Sequence, residues 1–240
     1  MPLILSILEV LDPDVNPCKM YGLQLNPHIT IAVEFIKSLW VYFMYPTWTN
    51  LVAMLYCLIC RGCSKQISLL RAEIEKFHLQ EFTITKQMTF RKREARIADV
   101  VSLIQKTFYG PSFLISVVNF GICITTIGWL LVPTELLLTS VGIVKILLYS
   151  ANSICSLVCV LWMAGGLPAE AEKLKTEFRK KVRQRWIMTK NVNEDGFSKD
   201  LTEESDYVLS GCDIIYFRRS SVLALAGTIL TYTILLMNSR

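Results

Sequence analysis

Four apolar stretches, each about as long as a helix needs to cross a lipid bilayer, constrain this chain more than any other feature. They run from about Leu39 to Cys60, Pro111 to Val132, Val141 to Leu167 and Ser221 to Met237. A hydrocarbon layer roughly 30 Å thick takes about 20 helical residues, and within it only a helix or a closed barrel satisfies every backbone donor and acceptor. The composition agrees, because 52% hydrophobic residues, only 19% charged ones and a mean hydropathy of +0.42 are too apolar for an ordinary water-soluble domain. The expected fold class is all-α: a polytopic transmembrane helical bundle with long helical cytoplasmic extensions. Pro46 is expected to kink the first stretch, and Pro133 to turn the chain after the second. The fourth is short for a span, which suits a helix surrounded by protein or lining an aqueous path.

Basic residues set the expected orientation. Ten Lys and Arg lie between Arg61 and Lys106 and nine between Lys173 and Lys199, whereas PTELLLTS holds none and the first thirty residues hold only Lys19. The positive-inside rule puts both basic loops in the cytoplasm and leaves both termini outside. The expected organisation is an outer segment or helix stump at 1–30, spans at 31–60, 111–132, 141–167 and 218–238, inner helical loops at 61–110 and 168–217, and an outer loop at 133–140. Arg218 and Arg219 mark the inner end of the last span. The N-terminal MPLILSILEVLDPDV lacks a basic region and a small-residue cleavage site, so it is expected to be the stump of a helix rather than a signal peptide.

The inner loops carry helical patterning. Ile67, Leu70, Ile74 and Phe77 recur at helical spacing, as do Ile97, Val100, Val101, Ile104 and Phe108, and Leu174, Phe178, Val182 and Trp186. These stripes are expected to pack against one another outside the membrane. Glu177 and Lys181 are spaced as an i, i+4 pair. Asn191 to Asp200 reads as a genuine loop, with Thr202 placed to cap a further helix.

Soluble chemistry finds little support. The two histidines, His28 and His78, fall on opposite sides of the expected membrane, which denies them a shared metal or acid–base site. Cys57, Cys123, Cys155 and Cys159 lie within apolar stretches, where cysteine packs as a small hydrophobe. The run Cys57, Cys60, Cys63 lacks a fourth metal ligand, which leaves packing or a reversible acyl anchor on Cys60 or Cys63. The phosphate-loop, dinucleotide and nucleophile-elbow motifs are missing from the sequence. The acids Glu194, Asp195, Asp200, Glu203, Glu204 and Asp206 do not follow the spacing of an EF-hand loop. The net charge of +5 sits beside apolar spans rather than in an aromatic-laced polar domain, so nucleic acid is not an expected partner. The expectation is a protein that is not an enzyme, with no cofactor and no metal.

Charge at membrane depth is more informative. Lys145 lies about one turn inside the outer end of the third span, where it either snorkels to the surface or lines a ligand cavity. Trp129 and Tyr149 sit near the same end, as interface anchors or as walls of an outward-facing pocket.

The C-terminus carries a resemblance. Arg218 and Arg219 lead into SSVLALAGTIL, followed by Thr231, Tyr232 and TILLMN. This resembles the last helix of the arthropod gustatory receptor family, which ends in a Thr-Tyr pair, five mostly hydrophobic residues, a Gln and usually a Phe. Thr231 and Tyr232 match the pair and Thr233 to Met237 fill the five, while Asn238 replaces the Gln and Ser239 the Phe. The family's inside N-terminus and outside C-terminus agree with the orientation read from charge. The resemblance implies that the four spans correspond to the fourth through seventh of seven, with the chain opening inside or just after the third. It further implies a ligand-gated cation channel of four subunits, related to insect odorant receptors, whose last helices surround the pore while cytoplasmic helices form a shared anchor. Asn238 then takes the gate position next to Met237, with Thr231 and Tyr232 in the helix packing nearby. An Asn ring is a wider polar gate than a Gln ring, and loss of the Phe loosens it further.

The expected function is therefore a chemosensory channel subunit for taste in the plasma membrane, with a small-molecule tastant and the lipid bilayer as partners and a homo- or hetero-tetramer as its assembly. The alternative is another polytopic membrane protein such as a transporter fragment, in which intramembrane charge marks a substrate path.

Overall fold

The computed structural model describes residues 3, 6, 7, 26–131, 140–189 and 207–238. The outer loop ahead of Ser140, the acidic loop with Thr202, and Ser239 lie outside the described residues, as does nearly all of the N-terminal segment. What is described is almost entirely α-helical, with four helices long and apolar enough to cross a membrane.

Helix α1, Pro27–Tyr42, starts well before the apolar stretch expected from Leu39. Asn26 caps it by accepting a hydrogen bond from the His28 amide at 3.3 Å, and Pro27 occupies the first turn, where its missing N–H costs nothing. A widened π-type segment, Phe43–Trp48, follows around Pro46. Tyr45 leaves the helical region there (φ −139°, ψ 125°), as expected of a residue sterically pushed by a following proline. Helix α2, Thr49–Lys76, runs through Cys60 and Arg61 without a break, so the first apolar stretch and the start of the basic loop are one rod. After a 3-10 turn at Leu79–Glu81, α3 spans Ile84–Leu131, passing Pro111 without ending. Helix α4, Ser140–Ala164, stops at Gly165, two residues short of the expected Leu167, and α5 covers Gly166–Thr189.

The expectation that a helix capped at Thr202 leads into the last span fails at 210–216. Ser210–Gly211 (β1) and Ile215–Tyr216 (β2) pair antiparallel, Ser210 opposite Tyr216 and Gly211 opposite Ile215. Cys212 and Asp213 in the turn have φ of 52° and 53°, a left-handed conformation that no helix accommodates. Helix α6, Arg219–Asn238, completes the chain.

The chain divides into two compact units. The first comprises Met1–Leu55, Ile115–Leu157 and Ala226–Arg240, the second Tyr56–Leu114 and Val158–Leu225. In the second, Ile67, Leu70, Ile74, Val101, Ile104, Leu174 and Phe178 are all buried, so the three stripes do meet. Phe82 is fully buried, its ring centroid 5.7 Å from Phe178, 6.0 Å from Phe90 and 6.4 Å from Phe77. The edge-to-face geometry of Phe82 and Phe178 adds to area burial. Val100 and Trp186 depart from the pattern and remain exposed, because they stand at the margins of their stripes. The expected Glu177–Lys181 pair does not form: Glu177 faces Lys180 at 3.7 Å, while Lys181 donates to the Glu75 carbonyl at 2.7 Å. A backbone acceptor near the end of α2 outcompetes a solvated carboxylate.

Candidate functional site

Two features of the first unit carry chemistry. The first is a cluster of tyrosines and amides on α1, α2 and α4. Tyr149 lies on α4 with its ring stacked on Tyr45 (centroids 6.5 Å apart, planes 7° apart) and tilted against Tyr42 at 6.1 Å. Tyr42 and Tyr45 reach it because the Pro46 distortion turns the chain between them. Asn152 and Ser153 follow Tyr149 at i+3 and i+4, on the same helical face. The Asn50 side-chain amide donates to Asn152 Oδ1 at 2.7 Å, and Asn119 donates to Ser156 Oγ at 3.3 Å.

Within this cluster the Tyr45 hydroxyl, the Asn152 amide nitrogen and the Ser153 hydroxyl are buried and have no hydrogen-bond partner among the described residues. The hydroxyls of Tyr45 and Ser153 are neighbours, but they do not meet hydrogen-bond geometry. Each unsatisfied group costs about 1–3 kcal/mol, so the set is suited to receiving water or a polar ligand between aromatic walls. Buried Glu34 on α1 adds a carboxyl group to the interior of the same unit.

Of the residues expected to line a ligand pocket, only Tyr149 enters this cluster through a described ring contact. Lys145 lies one turn earlier on α4, half-buried and engaged with its surroundings. Trp129 is half exposed near the end of α3, as a lipid-facing or interface anchor would be. Sequence reasoning missed Tyr45, Asn50, Asn152, Ser153 and Glu34. The signal for Asn152 and Ser153 was their spacing from Tyr149, and the signal for Glu34 was an acid in an otherwise apolar run. Nothing local in the sequence pairs Asn50 with Asn152.

The second feature is α6. None of its residues is buried, in contrast to the other three long apolar helices, whose most hydrophobic windows are 22–28% buried. Thr231 is exposed, its hydroxyl donating to the Gly227 carbonyl at 2.9 Å in the preceding turn, and Tyr232 is half-buried. Met237 and Asn238 are exposed at the far end.

The start of α6 belongs to the second unit and is held tightly. Arg219 places its guanidinium over the Trp162 ring at 4.9 Å. Gly165, at the break between α4 and α5, lies so close that an added Cβ would sit 2.6 Å from the Arg219 nitrogen and 2.8 Å from the Arg218 carbonyl carbon. Gly165 is thus the point where two backbones meet, a role its place at the end of an apolar stretch did not disclose.

The remaining candidates are resolved by packing. Cys60 is fully buried and Cys63 nearly so, and burial pushes the Cys63 thiol up, which disfavours the thiolate that acylation requires. Packing is therefore the reading these two positions support. An open groove of about 570 Å³ in the second unit is lined by Ile59, Cys63, Leu70, Arg96 and Val100 among others, but Arg93 at its rim is already paired with Glu73 at 2.7 Å. Comparison of the sequence with protein-family models and with curated proteins finds no match.

Proposed function

We propose that this chain is a subunit of a ligand-gated cation channel of the arthropod gustatory receptor type, a polytopic plasma-membrane protein whose C-terminus is outside. The observation that carries the reading is α6, a helix long and apolar enough to span a bilayer that buries none of its residues within one copy. Such a helix leaves its whole length free to meet lipid, water or other copies of the chain. Four copies around a common axis provide neighbours and water, with Asn238 and Met237 at the outer mouth and Thr231 and Tyr232 in the packing below. The Thr-Tyr pair, the preceding arginines and the four-span arrangement support the same family.

In this reading the tyrosine–amide cluster receives the small-molecule tastant, and the channel opens because the ligand binds the open state more tightly. Its unsatisfied hydroxyls and amide favour an uncharged, hydrogen-bonding molecule with a face to stack on Tyr45 and Tyr149. The protein performs no covalent chemistry and needs no cofactor.

A second reading, a transporter fragment, is favoured by Glu34, an ionisable side chain buried among apolar helices, where such groups often mark substrate or ion paths. Current recordings separate the two. In the assembled channel, Asn238→Leu is expected to abolish ligand-evoked current while assembly persists, and Asn238→Gln to be tolerated. Unchanged conductance and ion selectivity in Asn238→Leu removes the gate assignment. Substrate uptake without channel current favours the transporter.

A further inference from the structure

The β1–β2 hairpin is small, rigid and placed where two helices turn apolar. Its base is clamped to α3: the Gln105 side chain donates to the Ser210 carbonyl at 2.9 Å and accepts from the Ser210 amide at 3.0 Å. Gly211 approaches so closely that an added Cβ would sit 3.1 Å from the Phe113 Cα. These contacts fall at residues 105–113 of α3, bracketing the point where its apolar stretch begins. The other side of the hairpin is tied to α6. Phe217 is fully buried, and the Tyr216 carbonyl accepts from both the Arg218 amide at 3.0 Å and the Ser221 hydroxyl at 2.9 Å. The hairpin therefore has a fixed position relative to the first turn of α6.

What it presents outward is not what a water-exposed turn presents. Ile214 at the tip is 70% exposed and Tyr216 54% exposed, beside an exposed Arg218 whose side chain has no partner among the described residues. The one acid of the turn, Asp213, is exposed but tied to its neighbours, accepting from the Ser210 hydroxyl at 2.8 Å and the Tyr109 hydroxyl at 3.1 Å. That hydrogen bond to the carboxylate holds the Tyr109 phenol above its ordinary range. Two hydroxyls solvate the carboxylate on the side toward Tyr109 and Ser210, while Ile214, Tyr216 and Arg218 present an apolar, an aromatic and a cationic side chain, the combination that favours the boundary between headgroups and acyl chains of an anionic leaflet.

We propose that this hairpin is an interfacial foot: Ile214 and Tyr216 insert at the headgroup–acyl boundary of an anionic leaflet while Arg218 binds its phosphates, and the foot sets the depth of α6. The occupant is lipid rather than a second copy, because two apolar side chains bury far less area than a stable protein interface requires and the adjoining arginines would face their own kind across a symmetric contact. The inference rests on the membrane reading above, and its test is arranged so that the two fail separately.

The full chain is reconstituted in vesicles of phosphatidylcholine with phosphatidylserine, with and without lipids brominated at shallow acyl positions. The emission added by Ile214→Trp is obtained by difference from the parent, whose five tryptophans report on the rest of the chain. Tyr216→Trp serves the same purpose if Ile214→Trp does not fold. The expected result is that brominated lipid removes most of the added emission while aqueous iodide removes little. The Arg218→Gln change, or omission of phosphatidylserine, should weaken the lipid quenching. Iodide quenching without lipid quenching, with the parent tryptophans still quenched by lipid, overturns the foot alone. Protection from both quenchers means another protein surface covers the hairpin and also overturns it. Parent tryptophans insensitive to brominated lipid remove the membrane reading and the foot with it. Equal lipid quenching with and without phosphatidylserine removes the role given to Arg218.

Discussion

In the unit formed by Tyr56–Leu114 and Val158–Leu225, phenyl rings and branched aliphatic chains fill the interior. In the other unit the buried positions include Glu34, Ser38, Ser116, Asn119, Thr126 and Ser153, and the outside shows Trp40, Leu51, Val118, Ile154 and Leu235. Water sorts side chains in the first manner, because apolar area removed from it is worth about 25 cal/mol per Å². The second unit is sorted less in this way, although Ile115, Ile146 and Leu157 are buried in it. Where the surroundings are as apolar as leucine, nothing drives leucine inward, and small or hydrogen-bonding residues bring helices together instead. The contrast is one of degree, because the first-named unit also buries Gln87, Glu94, Ser112 and Ser210 and exposes Leu58, Leu103 and Leu223, and it supports the proposed membrane reading without resting on a family resemblance.

The comparison makes opposite demands on substitutions. The largest effect is expected in the water-sorted unit: Phe82→Ala should cost about 3–5 kcal/mol, read as loss of the cooperative unfolding transition of that unit. Slightly smaller is Ile154→Lys, at an exposed position midway along the third apolar stretch. In water such a change stays within about 0.5 kcal/mol, whereas facing lipid it should cost about 2.5–3.5 kcal/mol, measured as reduced membrane insertion of that helix. Normal insertion and stability of Ile154→Lys would break the comparison. Next is Gly165→Val, whose side chain must displace the start of α6; overpacking of this kind costs about 1–3 kcal/mol and should shift the ligand dependence of the current. The smallest is the Asn50–Asn152 contact, expected to contribute about 0.6 kcal/mol in a double-mutant cycle, since an interhelical hydrogen bond in lipid competes with other partners.

Much of this was legible in the residues. Apolar length located the four long helices, the period of Ile67, Ile74, Leu174 and Phe178 located the water-sorted core, and the rule for residues before proline accounts for Tyr45. The departures have local causes. The hairpin was hidden because its strands are only two residues long and because left-handed backbone, which Asp213 tolerates, is unusual for a residue such as Cys212. Helix α1 begins at Pro27, ahead of the apolar stretch read from Leu39, because Glu34 and Lys37 interrupt the hydropathy without interrupting the helix. The tyrosine–amide cluster depends on residues from three helices meeting, as Asn50 and Asn152 do, and sequence spacing is silent about such contacts.

The central claim is that α6, unburied within one copy, faces its own counterparts about a shared axis. Cysteine substitutions placed singly along it at Leu230, Ile234, Met237 and Asn238, together with the intervening residues, test this most directly when exposed to a short bifunctional thiol reagent in native membranes. Bands of two to four linked subunits should recur every three to four residues and include Asn238→Cys, with intervening positions unlinked. Absence of linkage along the whole helix, or linkage without helical periodicity, contradicts a shared axis.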